Sequence, residues 1–198
     1  TAASLTGSRS CANKGDLFME ARDRNGLTEA EFLNRYAKKT YPKPSLTADI
    51  VVFAMDKQGL NVLLVKRSGH PYIHQWALPG GFAMPAESME ATAAREVQEE
   101  TGLTGLPMQL VGVYSQPGRD PRGWVVSAAY RAVAPADFVP RAGDDAGDAR
   151  WFRVSRSQNT LVLTSGEERP AQLAFDHAQI LSDALNLPGL PTGNVNQK

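Results

Sequence analysis

Apolar positions are sparse through residues 1–25, which are expected to form a disordered leader or a tail foreign to the native chain. LTEAEFLNRYA (27–37) carries a helical pattern. Thr28 stands where an N-cap belongs, and Glu31 three residues later completes a capping-box pattern. YPKPS then breaks the helix and leads into extended chain. Two apolar runs rich in β-branched residues, 50–55 and 60–65, flank DKQG and predict a hairpin. QWALPGGF predicts a further short strand ending in a Pro-Gly-Gly turn, and a glutamate-rich helix follows, closed by Gly102. MQLVGVYSQ and WVVSAAYRAVA predict two strands separated by the loop PGRDPRG; RAGDDAGDA predicts another loop, and RWFRV a strand. RPAQLAFDHAQILSDALN predicts a closing amphipathic helix with Leu173, Ile180, Leu181, Ala184 and Leu185 toward one face. Residues 188–198 are expected to be a flexible tail. The resulting order, three strands, a helix, three strands, a helix, predicts an α/β domain over 26–187 with helices on the faces of a mixed sheet.

A chain of 198 residues suits one such domain. Lysine and arginine number 21 and aspartate and glutamate 21, so no global basic field exists to hold nucleic acid or an anionic membrane. Any phosphate recognition must be local. The single cysteine, Cys11, excludes an internal disulfide and a thiolate zinc site, and it fits a reducing, cytoplasmic setting. No apolar run approaches the roughly 20 residues of a membrane span. The first residues lack the apolar core of a signal peptide.

The helix after the Pro-Gly-Gly turn carries REVQEE. With about 100° per residue, Glu99 falls about −60° and Glu100 about +40° from Glu96, so the three carboxylates share an arc of about 100°. Ala91, Ala94, Val97 and Thr101 fall opposite, so the wheel predicts a small-residue face inward and an acidic face outward. At an effective dielectric of about 20, two such charges roughly 5.5 Å apart repel by about 3 kcal/mol. Arg95, four residues before Glu99, relieves part of this, and a hard divalent cation would relieve more. Charge alone also fits a solvated helix face.

Spacing separates the two. Gly81, five residues, Glu87, seven residues, then Arg95-Glu96-Val97-Gln98-Glu99-Glu100-Thr101-Gly102-Leu103 meets every position of G-x5-E-x7-R-E-U-x-E-E-x-G-U, where U is aliphatic. This is the Nudix box, and the chain resembles the Nudix hydrolases. The resemblance implies an α/β/α sandwich around a mixed sheet, with the box as loop-helix-loop. It implies Mg²⁺ or Mn²⁺ as cofactor and hydrolysis of a nucleoside diphosphate linked to another group. It further implies Glu96, Glu99 and Glu100 as metal ligands, a carbonyl of Gly80 or Gly81 as a further donor, Glu87 as a metal or loop-holding residue, and Arg95 as the orienter of a catalytic carboxylate.

Beyond the box, SLTADIVVFAMDKQGLNVLLVKRSGHPYIHQWALPGGF, DPRGWVVSAAYRAVAPADFVP, AGDDAGDARWF and LAFDHAQIL resemble ADP-ribose pyrophosphatases and the Nudix domains of bacterial regulators of NAD metabolism. That resemblance implies ADP-ribose as substrate, cleaved to AMP and ribose 5-phosphate, in a homodimer. Arg119 and Arg122, on a loop stiffened by Gly and Pro, are candidates to grip phosphate oxygens, as is Arg67 at a strand end. Asp144 and Asp145, with Asp148 behind them, are candidates for the general base. Trp76 is expected in the core rather than on a base, and His177 is expected to pair with backbone. The alternatives are hydrolysis of oxidised or ordinary nucleoside triphosphates, and a ligand-sensing regulator. The regulator reading is disfavoured because residues after Phe152 carry few basic side chains, and no winged helix is expected within them.

Overall fold

A computed structural model describes residues 20–143, 146–158 and 160–190. The chain divides into two units, Thr1–Pro42 and Lys43–Lys198. The first holds α1 (Glu29–Ala37), where Thr28 and Glu31 form the capping box reciprocally. Its aromatic side chains stack in series, Phe32 on Tyr36 at 5.9 Å and Tyr36 on Tyr41 at 5.6 Å between ring centroids.

The second unit holds β1 (Ser45–Asp56), β2 (Gly59–Arg67), β3 (Trp76–Ala77), β4 (Gly80–Phe82), α2 (Met89–Thr101), β5 (Gln109–Tyr114), β6 (Val125–Val133), β7 (Ala146–Ser157), β8 (Thr160–Thr164) and α3 (His177–Asn186). The strands form one mixed sheet in the order β5-β6-β1-β2-β7-β8, with β3 beside β2 and β4 beside β1. The expected hairpin is β1–β2. Asp56 closes it by accepting the Gln58 and Gly59 amides at 2.7 and 3.0 Å.

Three elements depart from the sequence reading. QWALPGGF forms two short strands rather than one. TLVLT, to which the sequence pattern assigned no element, forms β8 and pairs with β7. The closing helix starts only at His177, because Phe175 takes a left-handed backbone (φ 54°) that a helix cannot carry through. Leu173 therefore lies outside the helix, buried, in a parallel bridge to Trp76.

Both faces of the central strands are covered, so β1 reads as a continuous apolar run. Val51 and Phe53 point to the side where Ile180, Leu181 and Ala184 of α3 pack. Ile50 and Val52 point to the side of Ala93 and Val97 of α2. The sheet splits where the site lies. β1 pairs with β2 only over its C-terminal end, Phe53 to Asp56; at Thr47, Ala48 and Asp49 its partner is β4, while Val65 and Lys66 of β2 have turned to β3. The gap between the diverging strands is a cavity.

Helix α3 is anchored at its C-terminal end by an arginine from the sheet. Arg131, buried in β6, donates to the carbonyls of Ala184 (3.3 Å), Leu187 (3.0 Å) and Pro188 (2.6 Å), and also to the Gln109 side chain. These carbonyls have no other donor available from within the helix. Replacing Arg131 by Met strips them at once, and a loss of about 2–4 kcal/mol is expected. Urea unfolding should show a lower midpoint at unchanged slope.

Candidate active site

The Pro-Gly-Gly turn and α2 form one assembly around two carboxylates. Ser88 caps α2 through the Ala91 amide, and Gly102, left-handed at φ 79°, ends it. The buried side of the helix is Thr92, Ala93, Glu96, Val97 and Thr101. This corrects the helical-wheel expectation: Ala91 and Ala94 are exposed, and the carboxylates of Glu96 and Glu100 are on the side that faces the sheet. The turn provides the reason. Glu100 accepts the Gly80 amide at 3.0 Å. The Glu96 carboxylate lies so close to Gly81 that a Cβ there would sit 2.5 Å from both its oxygens. A Cβ on Gly80 would run into the Ala48 carbonyl. Gly81 lets the helix lay Glu96 directly on backbone, and Gly80 lets the turn that holds Glu100 lie close against β1.

Arg95 ties the rest of the box together. Its Nε and Nη2 donate to the two oxygens of Glu87 (2.8 and 3.1 Å), its Nη1 to Glu96 (2.7 Å) and Glu99 (3.0 Å), and its Nη2 also to the Phe82 carbonyl (3.0 Å). Glu87 accepts the Met84 amide and the Thr92 hydroxyl as well. The Arg95 bonds, foremost, with those from Met84 and Thr92 hold the Glu87 carboxyl down at about 2. Glu99 is 57% exposed at its side chain.

The other acids are less well compensated. Burial, then the charges of Glu96 and Asp49, pushes Glu100 up to about 7 against the pull of the Gly80 amide and Arg67. Burial also raises Glu96, though Arg95 opposes it. Among the described residues no three acidic, His or Cys side chains already converge on one point. Even so, two under-compensated carboxylates at a glycine backbone are the hard oxygen donors that Mg²⁺ or Mn²⁺ accept, and the donor set fits such an ion.

Gly80, Gly81 and Glu100 line a cavity of about 280 Å³ whose walls also include Asp49, Arg67, Phe82, Arg119, Asp120, Arg122, Phe175 and His177. Arg67 donates to the Pro71 carbonyl at 2.7 Å and stands over the Phe175 ring at 5.0 Å. Arg122 pairs with Asp120 through Nε and Nη2 (3.0 and 2.7 Å) and lies over Phe82 and Phe175 at 4.7 and 5.4 Å. Burial, then the charge of Arg122, lowers Arg67, a sign that two cations share this wall. Arg119 behaves differently. Its side chain is 4% exposed, its Nε and Nη2 held by Asp176 at 2.8 and 2.6 Å and its Nη2 also by Asp49 at 3.3 Å.

Asp144 and Asp145 lie outside the described residues, but the chain leading to them is tied to the box: the Arg141 and Gly143 amides donate to the carbonyls of Thr101 and Glu100. Asp148 sits in β7 and pairs with Arg150 at 2.5 Å. His70 and His74 are exposed. Trp76 is buried, edge-on to Phe152 at 4.7 Å. The sequence reading missed Asp49, Phe82, Asp120 and Phe175 as cavity residues. Asp49 had a signal, since a lone acid inside ADIVVFAM is costly to bury without partners.

The class that fold and site define is that of the Nudix box proteins, and comparison agrees. The NUDIX domain family model matches residues 43–173, and the chain belongs to the Nudix family. It is 36% identical over 159 residues to an ADP-ribose pyrophosphatase of Methanocaldococcus jannaschii, covering 77% of this chain and 86% of that protein. It is 33% identical over 162 residues to an ADPR-responsive transcriptional repressor of Acinetobacter baylyi, covering 81% of this chain but 60% of the repressor's length. Among solved structures it is similar to the NUDIX domain of Shewanella oneidensis NrtR complexed with ADP ribose, at TM-score 0.65 and 32% identity over 80% of this chain and 97% of that domain.

The raised Glu100 carboxyl gives a signed prediction for stability. A folded-state value of about 7 against an ordinary 4.5 means that the folded protein holds this proton more tightly than the unfolded chain. Stability therefore falls as pH rises from about 4.5 to about 7. Glu100→Gln keeps an acceptor for Gly80 and removes the charge. In chelator it should match the parent near pH 4 and exceed it by about 3 kcal/mol above pH 7, read by urea unfolding across pH.

Proposed function

We propose that the chain is a divalent-metal-dependent Nudix pyrophosphohydrolase that cleaves ADP-ribose to AMP and ribose 5-phosphate. The observation that carries this reading is the meeting of opposite charges in one cavity: Glu100, held on the Gly80 amide, lines it together with the cations Arg67 and Arg122. A diphosphate needs both, cations to hold its outer oxygens and a place for metal where its charge is concentrated. The names of the pyrophosphatase and of the ADP-ribose-bound NUDIX domain support the choice of ligand.

Glu96, Glu99 and Glu100 would hold the ion, with the Gly80 carbonyl as a further oxygen. Bound Mg²⁺ or Mn²⁺ would neutralise phosphoanhydride charge and acidify a water. Glu87, both of whose oxygens are engaged, holds the loop through Arg95. Arg67 and Arg122 bind and orient the diphosphate. Arg119, already paired, stiffens the loop that presents Arg122. One of Asp144 and Asp145 takes the proton from water. The working form is a cytoplasmic homodimer. No helix among the described residues is long and apolar enough to cross a membrane.

A second reading, ADP-ribose sensing without turnover, is favoured by the repressor relative. Product-resolved assays separate them. With ADP-ribose and Mg²⁺, AMP and ribose 5-phosphate are expected; ADP-ribose that binds but is recovered intact would select sensing, and release of pyrophosphate from a nucleoside triphosphate, with ADP-ribose untouched, would select triphosphate hydrolysis. Glu99→Gln and Glu100→Gln are each expected to lower kcat by about 10³, or about 4 kcal/mol of barrier. Near-parental turnover in both would refute the site.

A further inference from the structure

We propose that His177, the first residue of α3, is a positioning residue that sets the Gly80 amide beneath Glu100; the inference rests on the functional reading above. His177 is 4% exposed. Its Nδ1 accepts the Leu78 amide at 2.9 Å, and its Nε2 lies 3.4 Å from Asp49 Oδ1. An imidazole nitrogen that accepts a backbone N–H carries no proton, so the ring proton is on Nε2, facing Asp49.

Both contacts lead to the same atom. Leu78 lies between β3 and β4, outside either strand, and its buried amide would be orphaned without the imidazole. Two residues on, the Gly80 amide donates to Glu100. Asp49 is the register partner of Gly80, and a Cβ on Gly80 would meet its Oδ1 and Cα at 3.0 Å. The same carboxylate accepts the Ser127 hydroxyl at 2.5 Å and Arg119 at 3.3 Å, so it is fixed from three further directions, the third being His177 itself. Next to His177, Asp176 grips Arg119 through both carboxylate oxygens. The start of α3 thus clamps the turn through one residue and the PGRDPRG loop through its neighbour.

A histidine that only satisfied a core amide would add stability and nothing more. A positioning residue leaves a different trace. In metal-free protein, His177→Ala should raise amide hydrogen exchange at Leu78 and at Gly80 together, relative to Val51 and Val52 in β1. Mn²⁺ affinity should weaken about tenfold, in the range typical of residues that orient metal ligands. With ADP-ribose, kcat should fall while KM stays within about twofold. His177→Asn, which offers an oxygen near the place of Nδ1, should recover most of each effect. His177→Gln, whose amide reaches toward Asp49 instead, should not; if the alanine variant does not fold, this pair carries the comparison.

Ile180→Val, a loss of packing in the same helix, should lower Tm without touching exchange at Gly80 or Mn²⁺ affinity. Parental Gly80 exchange and Mn²⁺ affinity in the His177 variants, or the same changes in Ile180→Val, would overturn the inference. A parent protein that takes up no Mn²⁺ would overturn the functional reading, and exchange at Gly80 would still decide whether His177 sets that amide.

Discussion

The site depends on bringing carboxylates of α2 down onto a backbone turn that has no side chains. Acids on a helix normally face water, where screening makes their repulsion small. Here Glu96 and Glu100 face the sheet instead: Gly81, lacking a Cβ, leaves room for Glu96, and Gly80, lacking one against β1, brings its amide to Glu100. The cost of that placement appears in the raised carboxyls of both residues. Arg95 compensates one side of the cluster fully and leaves the other open. The open side is the one on the cavity, where Glu100 has the Gly80 amide but no arginine as hydrogen-bond partner, and a hard oxygen donor left so at a cavity wall favours a cation.

Much of this was legible in the sequence because the box is local. Its residues lie within a single turn and helix, so spacing alone places Glu87, Arg95 and the three glutamates within reach of one another; the structure joins Glu87, Glu96 and Glu99 through Arg95 and sets Glu100 on the Gly80 amide. Spacing did not supply the direction of the helix. The wheel put small residues inward because a charged face is expected outward, whereas Ala91 and Ala94 are exposed and Glu96 is buried. Direction is set by the glycine turn, a tertiary contact that no helical period records. The same limit applies to the arginines. Arg119 and Arg122 look alike in PGRDPRG, but Asp49 and Asp176, far away in sequence, bury the first, whereas the second pairs with its neighbour Asp120 and stays more exposed. β8 escaped notice because TLVLT is short, and its pairing with β7 rather than its own pattern makes it a strand.

The split in the sheet accounts for the cavity's contents. Where β1 exchanges β2 for β4, backbone amides and carbonyls that would have formed a ladder across the gap are redirected, and the side chains of β1 and β2 at the fork line an opening. Thr47 and Asp49 come from one branch, Val65, Lys66 and Arg67 from the other. An acid in the middle of β1 is tolerable only because the fork gives it polar neighbours. Burial alone would raise Asp49, yet the hydrogen bonds from His177 and Ser127 and the charge of Arg119 together hold it below the usual carboxylate range. Asp49 is a charged residue in the core because that part of the core borders the site.

Helix α3 couples stability to the site for the same reason. Its C-terminal end is held by Arg131 through carbonyls, and its N-terminal end holds Leu78 and Arg119 through His177 and Asp176. Tyr114, donating to Asp183 at 2.7 Å, adds a third tether from β5. Between these points Ile180, Leu181 and Ala184 bury in the core where α3 packs on β1, β5 and β6. A change that shifts the helix along its axis must move the imidazole, because the polar tethers at both ends fix its translation while the apolar contacts between them resist only separation. Directional bonds, unlike hydrophobic contact, specify position. For this fold that means the precision of the Gly80 amide comes from the polar ends of a helix on the face of the sheet opposite the box helix, and the packing between those ends supplies the stability that keeps them in place.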